Sequence, residues 1–194
     1  MRQLYLDLID IVRGISECVD LVNSVFSHHH KRVACIALNI AREMGLSLDE
    51  KRNLVVASLL HDVGALSIKE RVKYLEFESD FGVKNPYGHA EIGYRLFREF
   101  KPFLNPAISI RYHHTYYVDI EKYSLPLGAY ILHLADRVAI SIREGEVLSQ
   151  SKDIKNKIRA QKNRMFSPEV VDGFLTASSR DSFWFDAVYM PLDA

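Results

Sequence analysis

The sequence predicts an all-α fold, and three observations carry that expectation. Apolar residues recur three and four apart along most of the chain, the spacing that gathers them on one face of an α-helix. Helix start and stop signals bound these segments: Ser47 with Glu50, Ser167 with Pro168, and the glycines at 45 and 64. No stretch keeps the strict apolar–polar alternation of a half-buried strand.

The elements follow in order. Leu4, Leu8, Ile11, Ile15, Val19, Val22 and Phe26 form one stripe of a long amphipathic helix, which Gly14 weakens without ending. Val33, Ile36, Ala37, Ile40, Ala41 and Met44 repeat the pattern, and Gly45 stops it. "SLDEKRNLVVASLLHDVG" opens the next helix with Ser47 and Glu50 spaced as a capping box, and Gly64 closes it. From Ala65 to Asn85 charge is mixed with helical spacing, which reads as a short helix and a loop. "HAEIGYRLFREF" is a helix stopped before Pro102. "PAISIRYHH" is a short helix ending near His114, and "TYYVDIEKYSLP" is a loop. "LGAYILHLADRVAISIRE" is a long apolar helix, and "SQSKDIKNKIRAQKNRMF" reads as a solvated helix rather than a nucleic-acid patch. Ser167 is then an N-cap with Pro168 at the first helical position. The aromatic "FWFDAVYM" is expected to pack onto the body. Residues 1–27 read as an N-terminal helix packing on a main domain of residues 28–194.

Composition bounds the function. With 194 residues, 48% of them hydrophobic, the chain is long enough for one compact domain with a real core. Lys+Arg and Asp+Glu each number 25, and a net charge of zero argues against a global polyanion binder. Cys18 and Cys35 lie in apolar helical patterns and read as two buried free thiols. No stretch approaches the roughly 20 apolar residues of a membrane span. The first ten residues carry acids and lack a signal-peptide core, so a cytoplasmic protein is expected.

The chemistry lies in histidine and aspartate. Of eight histidines, most stand where a helix meets a loop: His28, His29 and His30, then His61, His89, His113 and His114. Asp136 sits inside the apolar run "YILHLADRVAI". Each alone has an ordinary explanation, such as a solvated turn or a capping residue. The pairs His61–Asp62 and His113–His114 together with Asp136 are harder to solvate, and a metal centre satisfies them all at once. Imidazole mixed with carboxylate suits Fe, Mn or Zn without choosing among them. More than four candidate ligands imply two metals, and two metals suit hydrolysis of a phosphate ester.

A histidine ahead of "RVACIALNIA", then "LLHDVG", "HAEIG", "HH" and "ADR", in that order, resembles the HD superfamily of metal-dependent phosphohydrolases, within it the HD-GYP branch. "SPEVVDGFL" supports the branch, and the resemblance runs from His29 to Leu175. It implies a single helical-bundle HD domain with a binuclear site. It also implies that His29 is the first metal histidine, that His61 and Asp62 are the signature pair, and that Asp62 bridges the metals. His61 and Asp62 would then be catalytic. His29, His61, Asp62 and Asp136 would surround one metal, and Asp62, His89, His113 and His114 the other. The implied substrate is a nucleotide or a cyclic dinucleotide such as cyclic di-GMP, cleaved by a two-metal-activated hydroxide. Three positions depart from the branch. Ala65 stands where the HDxGK lysine is expected, Thr115 stands where a glutamate follows the histidine pair, and no GYP loop follows. Lys69 or Lys73 would be the compensating cations. Val25 occupies the glutamate position of relatives with a third metal. These departures motivate the alternative of a signalling or binding module that keeps metal without turnover.

Tyr112, Tyr116, Tyr117 and Tyr123 cluster in sequence around the histidine pair, where aromatic faces can stack on a base. Lys31, Arg32, Arg111 and Arg137 flank proposed ligands and suit phosphate oxygens, with Arg137 the favoured one and Lys31 reading rather as solvated. His133, three residues before Asp136, reads as a satisfied core histidine or a support to the metal site. A small-molecule ligand is expected, with no nucleic-acid polymer and a homodimer left open.

Overall fold

A computed structural model describes residues 7–21, 28–65, 88–119, 125–143 and 145–192. Among these residues the fold is all-α. Its helices are α1 (Leu8–Leu21), α2 (His29–Glu43), α3 (Leu48–Leu60), α4 (Gly88–Phe97), α5 (Leu104–Tyr112), α6 (Leu127–Ser141), α7 (Val147–Ala160), α8 (Pro168–Ala177) and α9 (Asp181–Tyr189). Two 3₁₀ turns, Lys101–Phe103 and Tyr117–Asp119, complete the helical elements, and Lys162 pairs with Phe166 in an isolated bridge. The expected helix and loop over Leu66–Asn85 lie outside the described residues, as do Leu4, Val22, Val25, Phe26, Lys69, Lys73 and Tyr123. No helix among the described residues is long and apolar enough to cross a membrane.

α2 is the hub. It packs against α3, α6, α8 and α9. Its Ala34, Ala37 and Ala41 are fully buried, and small side chains let neighbours approach from several sides. Val33, Ile36 and Ile40 fill the spaces between, facing a core that includes Ile131, Leu134 and Val138 of α6, Phe174 of α8 and Trp184 of α9. Trp184 donates its Nε1–H to the Ser178 carbonyl at 2.9 Å, so the burial leaves its polar atom satisfied. In the C-terminal aromatic segment Phe183 and Trp184 pack inward, while Phe185 and Tyr189 face solvent.

The local signals act where expected. Gly45 takes φ +71° after α2, and Ser47 and Glu50 close a reciprocal capping box on α3. Ser167 stands at the N-cap of α8, but its side chain makes no capping bond, and Pro168 supplies the start. Two expectations change. On α1 the buried positions are Val12 and Ser16, whereas Leu8 and Ile11 of the expected stripe are 37% and 44% exposed. α1 lies at the periphery against α2 and α3 and has overlapping apolar stripes, and the docking surface chooses between them. Cys18 on this helix is consequently exposed; Cys35 is buried, and both are free thiols.

Candidate metal centre

The site forms where helix ends converge on the middle of α6. His29 opens α2, His61 and Asp62 form the turn that follows α3, His89 is the second residue of α4, and His113 and His114 follow α5. Asp136 rises from α6. Helix ends leave backbone groups without helical partners, and here they orient the ligands. His61 Nδ1 lies 2.8 Å from the Ser58 carbonyl, and His113 Nδ1 lies 2.6 Å from the Ile110 carbonyl. A carbonyl only accepts, so each ring carries its hydrogen on Nδ1 and turns Nε2 inward, the arrangement usual for metal-binding histidines.

The seven ligand residues expected from sequence fall into two groups, each with its ligand atoms within 4.8 Å of one another: His29, His61 and Asp136, and Asp62, His89, His113 and His114; His30 forms a third such group with His61 and Asp62. All seven residues are buried. In the first group Asp136 Oδ1 is 3.2 Å from His29 Nε2 and 3.7 Å from His61 Nε2. In the second, Asp62 Oδ1 is 3.3 Å from His89 Nε2 and 3.8 Å from His113 Nε2. The other oxygen of Asp62, Oδ2, is 3.4 Å from His61 Nε2. One carboxylate thus faces both groups. The seven residues singled out from sequence are brought together.

The donors suit first-row divalent cations. His61 Nε2 is buried and makes no hydrogen bond, although two carboxylates stand within 3.7 Å. Such an orphaned ligand atom among acidic oxygens fits a cation. Electrostatics point the same way. Burial would raise Asp62 and Asp136, but His61 with His113 and His89 in the first case, and Arg137 with His29 and His61 in the second, hold both well below the ordinary carboxylate value. Burial lowers His61, yet Asp62 and Asp136 outweigh it and raise the imidazole to about 9. Burial, joined by the charges of His61 and His89, pulls His113 down to about 4.

The expected substrate-binding residues fare differently. Arg137 is wholly buried: its Nη2 lies 3.3 Å from Asp136 Oδ2 and 3.0 Å from His114 Nδ1. It supports ligand side chains and presents no surface to a docking phosphate. Arg111 pairs with Glu91 at 2.8 Å and lies over the Tyr94 ring, with Tyr112 beside it. Tyr116 packs near His133, which in turn stands behind His114, so the His133 ring separates it from the ligands. Tyr117 is exposed and neighbours Tyr130. Among the described residues, Tyr112, Tyr116 and Tyr117 therefore do not form one stacking platform.

Two features, the placements of His30 and Gly64, were not legible in the sequence, whereas His133 is buried as its reading as a core histidine expects. His30 is buried with Nδ1 2.6 Å from Asp20 on α1, and its ring lies 5.1 Å from that of His61. The run of three histidines was the only signal for it, whereas His28 is exposed with φ +64°. His133 is buried among Tyr116 and Phe166, and burial, with the charge of Arg137, lowers it to about 3. Gly64, read as a helix stop, instead permits contact with α4: a Cβ there would stand 2.1 Å from the His89 carbonyl oxygen.

Comparison with known proteins agrees with this geometry. A model of the HD domain family matches residues 26–141. A cyclic di-GMP phosphodiesterase of Thermotoga maritima is 25% identical over 182 residues, covering 87% of this chain and 48% of the relative. The chain thus spans about half the length of that curated relative.

Proposed function

The chain belongs to the HD domain family, and from that premise we propose that it is a metal-dependent phosphohydrolase that cleaves a phosphodiester in a nucleotide or cyclic dinucleotide at a two-metal centre. The observation that carries this reading is Asp62, whose Oδ2 faces His61 while its Oδ1 faces His89 and His113. His29, His61 and Asp136 would hold one divalent ion, and Asp62, His89, His113 and His114 the other. A pair of such ions supplies Lewis-acid activation of water and neutralises charge on the phosphate.

The chain's own contribution is preorganisation. Asp62 and Asp136 stay ionised because the imidazoles and Arg137 around them oppose protonation. The Ser58 and Ile110 carbonyls fix two rings before any ligand arrives. Burial keeps bulk water from competing for these atoms. The Thermotoga relative's name makes cyclic di-GMP the first substrate to try.

The test is metal analysis of protein purified with Mn, Fe or Zn, followed by assays on cyclic di-GMP, other cyclic dinucleotides and generic phosphodiesters. About two ions per chain are expected, with hydrolysis that Asp62→Ala abolishes. Less than one ion per chain would count against the centre. A second reading has its own observation: Ala65, at the expected lysine position, is buried and brings no cation. A binding module would take up the metals and a cyclic dinucleotide without turning it over.

A further inference from the structure

We propose that the cleft between the first turns of α3, the body of α5 and the start of α6 binds a free α-amino acid with an apolar side chain, at a site separate from the metal centre. Its free volume is about 290 Å³, close to the roughly 300 Å³ at which small-molecule sites begin. None of its described lining residues is among the candidate metal ligands. On α3 the cleft takes side chains from the first two turns, whereas His61 and Asp62 follow the last.

One side of the cleft suits a carboxylate. The N-cap of α6 is Pro126, which makes no side-chain capping bond. The first hydrogen bond of this turn runs from the Ala129 N–H to the Pro126 carbonyl at 2.9 Å, so the N–H groups of Leu127 and Gly128 precede it and have no helical acceptor. Ser109 of α5 stands beside them, since a Cβ on Gly128 would lie 3.1 Å from its Oγ. Ser109 is only 6% exposed, yet among the described residues its hydroxyl makes no hydrogen bond. Ser58 and Ser141, also on helices, both spend theirs on the carbonyl four residues back. Buried hydroxyls are normally paired, and this one lines the cleft instead. A hydroxyl beside two N–H groups at the positive end of a helix is a donor set for a carboxylate.

The rest of the lining defines the remainder of the ligand. Glu50 is the only charged side chain among the described lining residues, and Ser47 holds it in place through its N–H at 2.8 Å and its hydroxyl at 2.6 Å. A carboxylate there repels a simple anion and pairs with an ammonium. The carboxamides of Asn53 and Asn105 make no hydrogen bond among the described residues, and each offers an acceptor to an ammonium and a donor to a carboxylate. Leu46, Leu54 and Ile108 supply apolar surface. The same Gly128 Cβ position lies 3.9 Å from Leu54 Cδ1, so this surface adjoins the donors. A zwitterion with an apolar side chain meets all three demands, and a free phosphate or a simple cation meets only one.

The experiment titrates leucine into the ¹⁵N-labelled full chain and follows the amide shifts. Shifts are expected at Leu127, Gly128 and the side-chain amides of Asn53 and Asn105. N-acetyl-leucine and leucinamide each lack one of the two charges and are expected to bind about tenfold more weakly or worse. Ser109→Ala is expected to melt as the parent does, because the hydroxyl holds nothing in the free chain, and to weaken leucine by about tenfold. Absence of shifts at millimolar leucine, shifts confined to the histidines of the metal centre, or equal binding of leucine and its two derivatives overturns the proposal. Parental leucine affinity in Ser109→Ala overturns it as well. The derivative series uses the parent chain, so it decides the matter even where the variant fails to fold.

Discussion

Gly64 lies against the backbone of His89 so closely that a Cβ on it would stand 2.1 Å from the His89 carbonyl oxygen and 2.7 Å from the Gly93 nitrogen. The turn that carries His61 and Asp62 is thereby seated directly on the helix that carries His89. Gly93 of α4 makes the matching approach, since a Cβ there would meet Ile110 Cγ2 of α5 at 2.9 Å. Gly64→Ala must push α4 away, because the obstruction is backbone. The expected cost is about 1–3 kcal/mol of stability from overpacking. Separation of His89 from Asp62 should lower metal occupancy as well. Thermal melts with metal analysis check both, and a variant with parental melting and metal content would refute the contact.

Arg137 supplies a second prediction. Its guanidinium lies against the Asp136 carboxylate with both groups buried. Arg137→Met keeps the bulk and removes the charge, leaving Asp136 without its closest cation. Breaking a buried pair costs about 3–5 kcal/mol. Urea unfolding of the metal-free variant is the measurement, and Zn²⁺ should restore part of the loss by supplying another cation to Asp136.

Stability of the metal-free protein should depend on pH in two directions. His113 at about 4 and His133 at about 3 have depressed folded values. Their contribution is present above the unfolded value near 6.5 and is lost as pH falls toward 4 and 3. Each such group lowers stability by up to about 1.4 kcal/mol per pH unit in that window. His61, raised to about 9, acts with the opposite sign: its contribution is present below about 6.5 and is lost as pH rises through 9. Asp62 and Asp136 lie well below 3.8, so their contributions persist until stronger acid. Melting temperature against pH reads these limbs. His133→Gln should flatten the acid limb and leave the alkaline limb in place.

Metal uptake should release a proton. His61 in the metal-free site holds its proton up to about pH 9, and a ligating imidazole cannot keep it on Nε2. Near pH 7 about one proton per chain should leave on loading, and affinity should fall as pH drops. Titration calorimetry in buffers of different ionisation enthalpy measures the release directly. Proton-neutral binding would show that His61 is not a ligand.

The sequence by itself determined the helical class, the order of the helices and the set of residues that converge. Helical periodicity and capping are local, so Val33 to Met44, the Ser47–Glu50 box and Gly45 could be read without knowing what surrounds them. His61, Asp62, His113, His114 and Asp136 were legible because burying so many ionisable groups demands a common partner, whereas His29 and His89 were singled out by the resemblance of the ordered motifs to the HD superfamily. Only the tertiary structure decided which stripe of α1 is buried, because that depends on the surface α2 and α3 present. It also turned Arg137 from a candidate for substrate phosphate into a support for Asp136 and His114, and brought His30 to Asp20. These contacts join groups far apart in the chain, which local periodicity does not encode: the guanidinium of Arg137 reaches His114 Nδ1 from a helix 23 residues further along.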